Sequence, residues 1–220
     1  MKVSILTSGF PNGFTNDFIQ CVKEYYHNNG SFVLIASDFA GHSKTDRHTD
    51  AFLNMFKDNC IVFDEVHIID DRVTKEKAFQ YIEKADITWI SGGDTLKQIA
   101  YLKEYNLIPV LQSREGITIG MSVGSINMAK RVVLAKNLDE NVPELSIYDG
   151  IGLVDINIEP HLDSASEEHI NEIYEASHYT TIYGIYDNTF IKIVDDAMDI
   201  YGTYFKYENI SKTEGYVNEN

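Results

Sequence analysis

Apolar residues along this chain follow two alternating rhythms. Short runs rich in Val, Ile and aromatic residues read as strands at residues 3–7, 32–36, 65–69, 87–90, 117–120, 155–158, 180–183 and 190–194. Between them, residues 15–27, 44–57, 74–85, 96–105 and 164–176 carry apolar side chains at helical spacing, such as Phe52, Met55 and Phe56. Strand and helix alternating in this way predict an α/β fold, a three-layer sandwich in which helices cover both faces of a mostly parallel central sheet. Residues 190–194 and 198–201, joined by Asp195-Asp196-Ala197, predict an antiparallel hairpin that finishes the sheet. Ser164-Ala165-Ser166-Glu167 fits a capping box, which starts a helix just after His161. No repeat or linker divides the chain, so residues 1–206 are expected to form one domain. Residues 207–220 lack a clear period and read as a polar, partly disordered tail.

Composition narrows the partners. With 220 residues and 44% hydrophobic content, one α/β domain can bury a core without disulfides or metal. The net charge of −16 repels nucleic-acid backbones and anionic membranes, leaving short peptides and other small molecules as ligands. A homodimer is left open. Met1 to Leu6 runs directly into a strand pattern and no long apolar stretch follows, so a cytoplasmic address without signal peptide or membrane span is expected. Cys21 and Cys60 have neither C-x-x-C spacing nor a histidine cluster, and no metal, disulfide or cofactor is called for.

The chemistry concentrates at strand ends. Gly120-Met121-Ser122-Val123-Gly124 places a serine between two glycines where a strand meets a helical run, the pattern of a nucleophile elbow that presents its Oγ above a sheet. Ser91-Gly92-Gly93-Asp94-Thr95 also follows a strand and opens a helix, so its free backbone N–H groups suit an anion or an oxyanion. The segment lacks the spacing of a dinucleotide motif and the lysine of a P-loop. Seven histidines could supply a base. His161, after Pro160 at a strand end, is the choice, because a parallel arrangement puts it on the same sheet edge as Ser122. A carboxylate is then needed to orient the imidazole; Asp139, Asp163 and Asp187 all lie in suitable loops, and composition does not choose among them.

Taken in order, Ile5-Leu6-Thr7-Ser8-Gly9, the Gly92-Gly93 turn, the Ser122 elbow, Ile158-Glu159-Pro160-His161 and Tyr183-Gly184-Ile185-Tyr186-Asp187-Asn188 resemble the peptidase E family of α-aspartyl dipeptidases. The resemblance implies a class I glutamine amidotransferase-like fold and a serine-type peptidase acting on short peptides, including those with N-terminal Asp. It implies Ser122 as nucleophile, His161 as base and Asp139 as acid, with Glu140, Asp149 and Asp187 as alternatives, and backbone N–H groups of Gly93 and Val123 as oxyanion donors. Glutaminase chemistry would need cysteine at position 122, which is serine. A non-catalytic glutamine amidotransferase-like ligand-binding module and a serine esterase are the alternative readings. For an acidic substrate side chain, Lys130, Arg131 and Lys136 are the basic residues around the relevant loop, without a clear counterpart in the family.

Overall fold

The computed structural model describes residues 1–137, 142–208 and 211–216. Its central sheet has seven strands. Five are parallel: β1 (Lys2–Thr7), β2 (Gly30–Ile35), β3 (Phe63–Ile69), β4 (Ile87–Ile90) and β5 (Gly116–Met121). Beside β1, β10 (Phe190–Val194) and β11 (Ala197–Tyr201) add the antiparallel hairpin, giving the order β11-β10-β1-β5-β4-β2-β3.

The period of two along each strand builds the three layers. Phe32 and Leu34 of β2 face a cluster with α1 (Asn16–Tyr25) and α2 (His42–Asp58), while Val33 and Ile35 face the opposite cluster. That second cluster takes in α3 (Lys75–Lys84), α4 (Thr95–Glu104), α5 (Ile108–Ser113) and α6 (Val123–Asn127). On the first side Phe52 and Phe56, one helical turn apart, close over the fully buried Trp89 with ring centroids 4.5 and 6.0 Å away. Caps set the helix starts: the side chains of Thr15, Thr74 and Asp94 accept backbone N–H groups of α1, α3 and α4. Among the described residues no helix is long and apolar enough to cross a membrane.

Three expectations need correction. Strands expected in the central sheet at 155–158 and 180–183 are β8 (Asn157–Glu159) and β9 (Ile182–Ile185), which pair in parallel within a separate sheet of order β13-β12-β9-β8. Both edges of β5 are taken by β1 and β4, and the β10–β11 hairpin occupies the other edge of β1, so the places beside the Ser122 strand and its neighbour are already filled. Of the tail expected over residues 207–220, the described residues 207–208 and 211–216 continue this second sheet, and 209–210 and 217–220 lie outside the described residues. Tyr207 belongs to β12 (Thr203–Glu208), which pairs with β9 and with β13 (Ser211–Tyr216), and its ring is fully buried against α7 (Glu167–Ser177). Phe205 and Tyr207 supply an inward alternation that is hidden by Tyr204 and Lys206 on the other face. The third correction is the N-cap of α7, which is Ser166 rather than Ser164; its side chain accepts the His169 N–H. A two-stranded sheet of β6 (Arg131–Leu134) and β7 (Ser146–Asp149), not foreseen, lies between these halves of the chain.

Candidate active site

Ser122 sits where β5 turns into α6, with φ 51° and ψ −114°. A non-glycine residue adopts this conformation only when its surroundings impose it. Here they do. Its N–H donates to the Thr7 carbonyl (2.9 Å), and its carbonyl accepts the Ile126 N–H (3.1 Å). The buried Ser125 hydroxyl accepts the Thr7 N–H (2.8 Å) and donates to the Gly120 carbonyl (2.7 Å), tying the elbow to β1. The flanking glycines are needed for space: a Cβ on Gly124 would lie 2.0 Å from the Ile90 carbonyl oxygen, and one on Gly120 would lie 2.6 Å from the Ser125 nitrogen. Burial leaves Ser122 8% exposed.

His161 reaches this serine from the second sheet. It follows β8 with φ 55°, and its Nε2 lies 3.0 Å from Ser122 Oγ. Its Nδ1 is 2.7 Å from Oδ1 of Asp187, in the turn between β9 and β10. A carboxylate only accepts, so the imidazole proton belongs on Nδ1 and Nε2 is free to accept from Ser122. The order along the chain is Ser122, His161, Asp187. Unlike the serine, the two partners are open to water, with side chains 42% and 40% exposed.

Asp139 and Glu140 lie outside the described residues. Asp149 ends β7 opposite Arg131 in the small sheet, and the Asp163 carboxylate accepts the Ala165 N–H in a local turn, so neither meets the imidazole. Asp187, one of the alternatives for the acid, is the carboxylate that the described residues bring to His161. The geometry adds Ser8 and Gly9, at the end of β1. The Ser8 hydroxyl accepts the His161 N–H (2.7 Å) and donates to Asp187 Oδ1 (3.0 Å). The signal was present, since Ser8-Gly9 closes one of the motifs and ends the strand beside β5.

Gly92 faces Ser122 from the end of β4, and Gly93 follows it against Ser37. A Cβ on Gly92 would touch that of Ser122 at 3.4 Å, and Gly93, with φ +148°, would drive one into Ser37 Oγ. Val123, as the first residue of α6, has an N–H with no intrahelical acceptor. Beyond the glycines opens a cavity of about 370 Å³ lined by Ser37, Asp38, Lys44, Asp94 and Lys97 among others. Lys97 donates to Asp38 at 2.7 Å, which holds the Asp38 carboxyl below and the Lys97 ammonium above its usual range. Burial pushes the His48 imidazole of the same cavity down, and the nearby Lys44 charge acts in the same direction. Lys136 instead bridges to Glu172 (3.2 Å) beside a separate acidic cavity on α7, and Arg131 pairs in β6. His42, Asp70 and Asp71 form the group of metal-type donors among the described residues, but the Arg72 guanidinium already occupies the buried Asp70 carboxylate through Nε, 3.0 Å from each oxygen.

A serine, a histidine and an aspartate joined in line at the end of a parallel strand are the arrangement that α/β hydrolytic enzymes of the serine type use. Residues 15–201 match the profile of peptidase family S51, and the chain belongs to that family. It is a serine-type peptidase, a hydrolase. Peptidase E of Salmonella typhi is 26% identical over 178 residues, covering 75% of this chain and 74% of that protein. In fold the chain is similar to a peptidase from an acI-B1 Actinobacterium (TM-score 0.72, 12% identity, 100% of this chain and 96% of that one). It is also similar in fold to a peptidase E-type protein from Listeria monocytogenes EGD-e (TM-score 0.68, 18% identity, 91% and 98%).

Proposed function

We propose that this peptidase is a dipeptidase or exopeptidase of short peptides that works through Ser122, His161 and Asp187. The observation that carries the reading is the pair of contacts at 3.0 and 2.7 Å on the two nitrogens of one imidazole. Ser122 Oγ attacks the scissile carbonyl while His161 Nε2 takes its proton, and Asp187 stabilises the resulting imidazolium. The carbonyl oxygen becomes an oxyanion that accepts from the N–H groups of Gly93 and Val123. His161 then gives the proton to the leaving amine as the C–N bond breaks, and water, deprotonated by the same imidazole, hydrolyses the acyl-enzyme and restores the serine.

The finer part of the proposal is a preference for N-terminal Asp. The net charge of −16 would repel such a substrate, so a local cation is required. Lys44 lines the cavity beyond Gly93, where Lys97 is already matched by Asp38, and it is the group assigned to the substrate carboxylate. Labelling by a fluorophosphonate tests the nucleophile. Modification of Ser122, absent in Ser122→Ala and His161→Ala, is expected of an activated serine, and a folded sample that resists labelling would instead favour a non-catalytic ligand-binding protein. A dipeptide library tests the preference, which would be withdrawn if Lys44→Ala left the ratio of Asp-Leu to Ala-Leu hydrolysis unchanged.

A further inference from the structure

We propose that Ser8 is a positioning residue that holds both the histidine and the aspartate of the site, an inference that rests on the catalytic reading above. The His161 and Asp187 side chains are about two-fifths exposed and belong to turns outside the parallel sheet. Exposed pairs of this kind lose geometry to side-chain motion and gain little from charge attraction in water. Beneath them lies Ser8, with no exposed surface, at the carboxyl end of β1. Its hydroxyl accepts the His161 N–H at 2.7 Å, donates to Asp187 Oδ1 at 3.0 Å, and comes within 3.5 Å of His161 Nδ1. One buried oxygen therefore reaches the backbone of the base and the carboxylate of the acid.

The first of these bonds has a specific task. His161 stands at φ 55°, a left-handed conformation that a histidine keeps only when held. Its N–H satisfied by Ser8 keeps the turn in that state and aims Nε2 at Ser122. The second bond fixes which carboxylate oxygen faces the imidazole, since Oδ1 serves both Ser8 and His161 Nδ1. Two further backbone bonds tie the same turns together: Ser8 N–H to the Thr189 carbonyl (3.3 Å) and Asn188 N–H to the Gly9 carbonyl (2.7 Å). These bonds anchor the Asp187 turn to the strand next to β5, the strand that carries Ser122. Gly9 completes the cradle, because a Cβ there would lie 2.8 Å from Asp187 Oδ1 and 2.9 Å from His161 Cε1.

The test is Ser8→Ala, read by the rate of fluorophosphonate labelling at Ser122, by dipeptide hydrolysis and by crystal structures of both proteins. The labelling rate and kcat are expected to fall about 10- to 100-fold, as for a misplacement near 1 Å, with KM unchanged. The crystal structure is expected to show Nε2 withdrawn from Ser122 Oγ or the His161 φ relaxed. In an Asp187→Ala background the same substitution should cost less than in the wild type, because only the hold on the His161 N–H is left to lose; a merely structural residue would add its full effect and would lower the melting temperature without slowing labelling of the folded fraction. Ser8→Cys, which fills the space with a poor hydrogen-bonding group, gives the same readouts if Ser8→Ala does not fold. Wild-type labelling rate and unmoved His161 in these variants overturn the proposal. If the wild type itself is not labelled, the catalytic reading fails separately, and the position of His161 in the variant crystal still decides what Ser8 holds.

Discussion

The two halves of the site are stabilised by different physics. The Ser122 half is held by packing: its elbow is wedged between β1, β4 and α6, glycines admit backbone at distances no side chain tolerates, and the serine is 8% exposed. The His161 half is held by hydrogen bonds: its side chains are about 40% exposed, and bonds to Ser8 and the Gly9 carbonyl tie its turns to β1. A nucleophile that must be strained is best placed where the core over-determines the backbone. A base that must exchange protons with substrate and water belongs at a surface, and there only directional bonds can fix it.

Damage to the two halves should therefore read out differently. The largest expected effect is on the acid: Asp187→Ala should lower kcat by about 10⁴-fold, while Asp139→Ala leaves it within about twofold. Steady-state hydrolysis of a dipeptide decides this, and the reverse ranking would move the acid to Asp139. Next is Gly9→Ala, whose new methyl meets Asp187 and His161. A kcat loss of about 10²-fold with an unchanged melting midpoint is expected if that half is a matter of aim.

Gly124→Ala should do the opposite, because its Cβ would meet the Ile90 carbonyl oxygen of a buried central strand. A stability loss of about 1–3 kcal/mol in urea unfolding is expected from overpacking of this kind. If stability were unchanged, the packed half would be looser than described. The smallest effect concerns the Asp38–Lys97 pair at the edge of the cavity, whose carboxylate is 41% exposed. Because the folded state lowers the Asp38 pKa, the pair's contribution is present above the unfolded value of about 3.9 and is lost as pH falls through the folded one. Asp38→Asn should thus flatten the fall of the melting midpoint below about pH 4 only slightly, in keeping with the small worth of exposed pairs.

Much of the parallel sheet was legible in the chain because each strand there carries local information. Residues 32–36 are apolar on both faces, as a doubly covered strand must be, and the helices announce themselves by spacing and caps. The elbow was legible for a related reason, since close backbone approach demands glycine at fixed offsets from Ser122. Strands β8, β9 and β12 were less so. They are three, four and six residues long, and which sheet they join depends on edges left free by strands far away in sequence.

From the amino-acid order alone came the α/β layering, the serine at a strand-to-helix turn, the glycine pair and a histidine at a strand end. These depend on periodicity and on backbone conformations that few residues adopt. Tertiary structure alone decided that His161 arrives from a second sheet, that Asp187 is the carboxylate which the described residues bring to its side and that Ser8 lies under both. Asp163 and Asp187 carry chemically identical side chains, and only the folded path of the backbone brings the second of them within 2.7 Å of the ring.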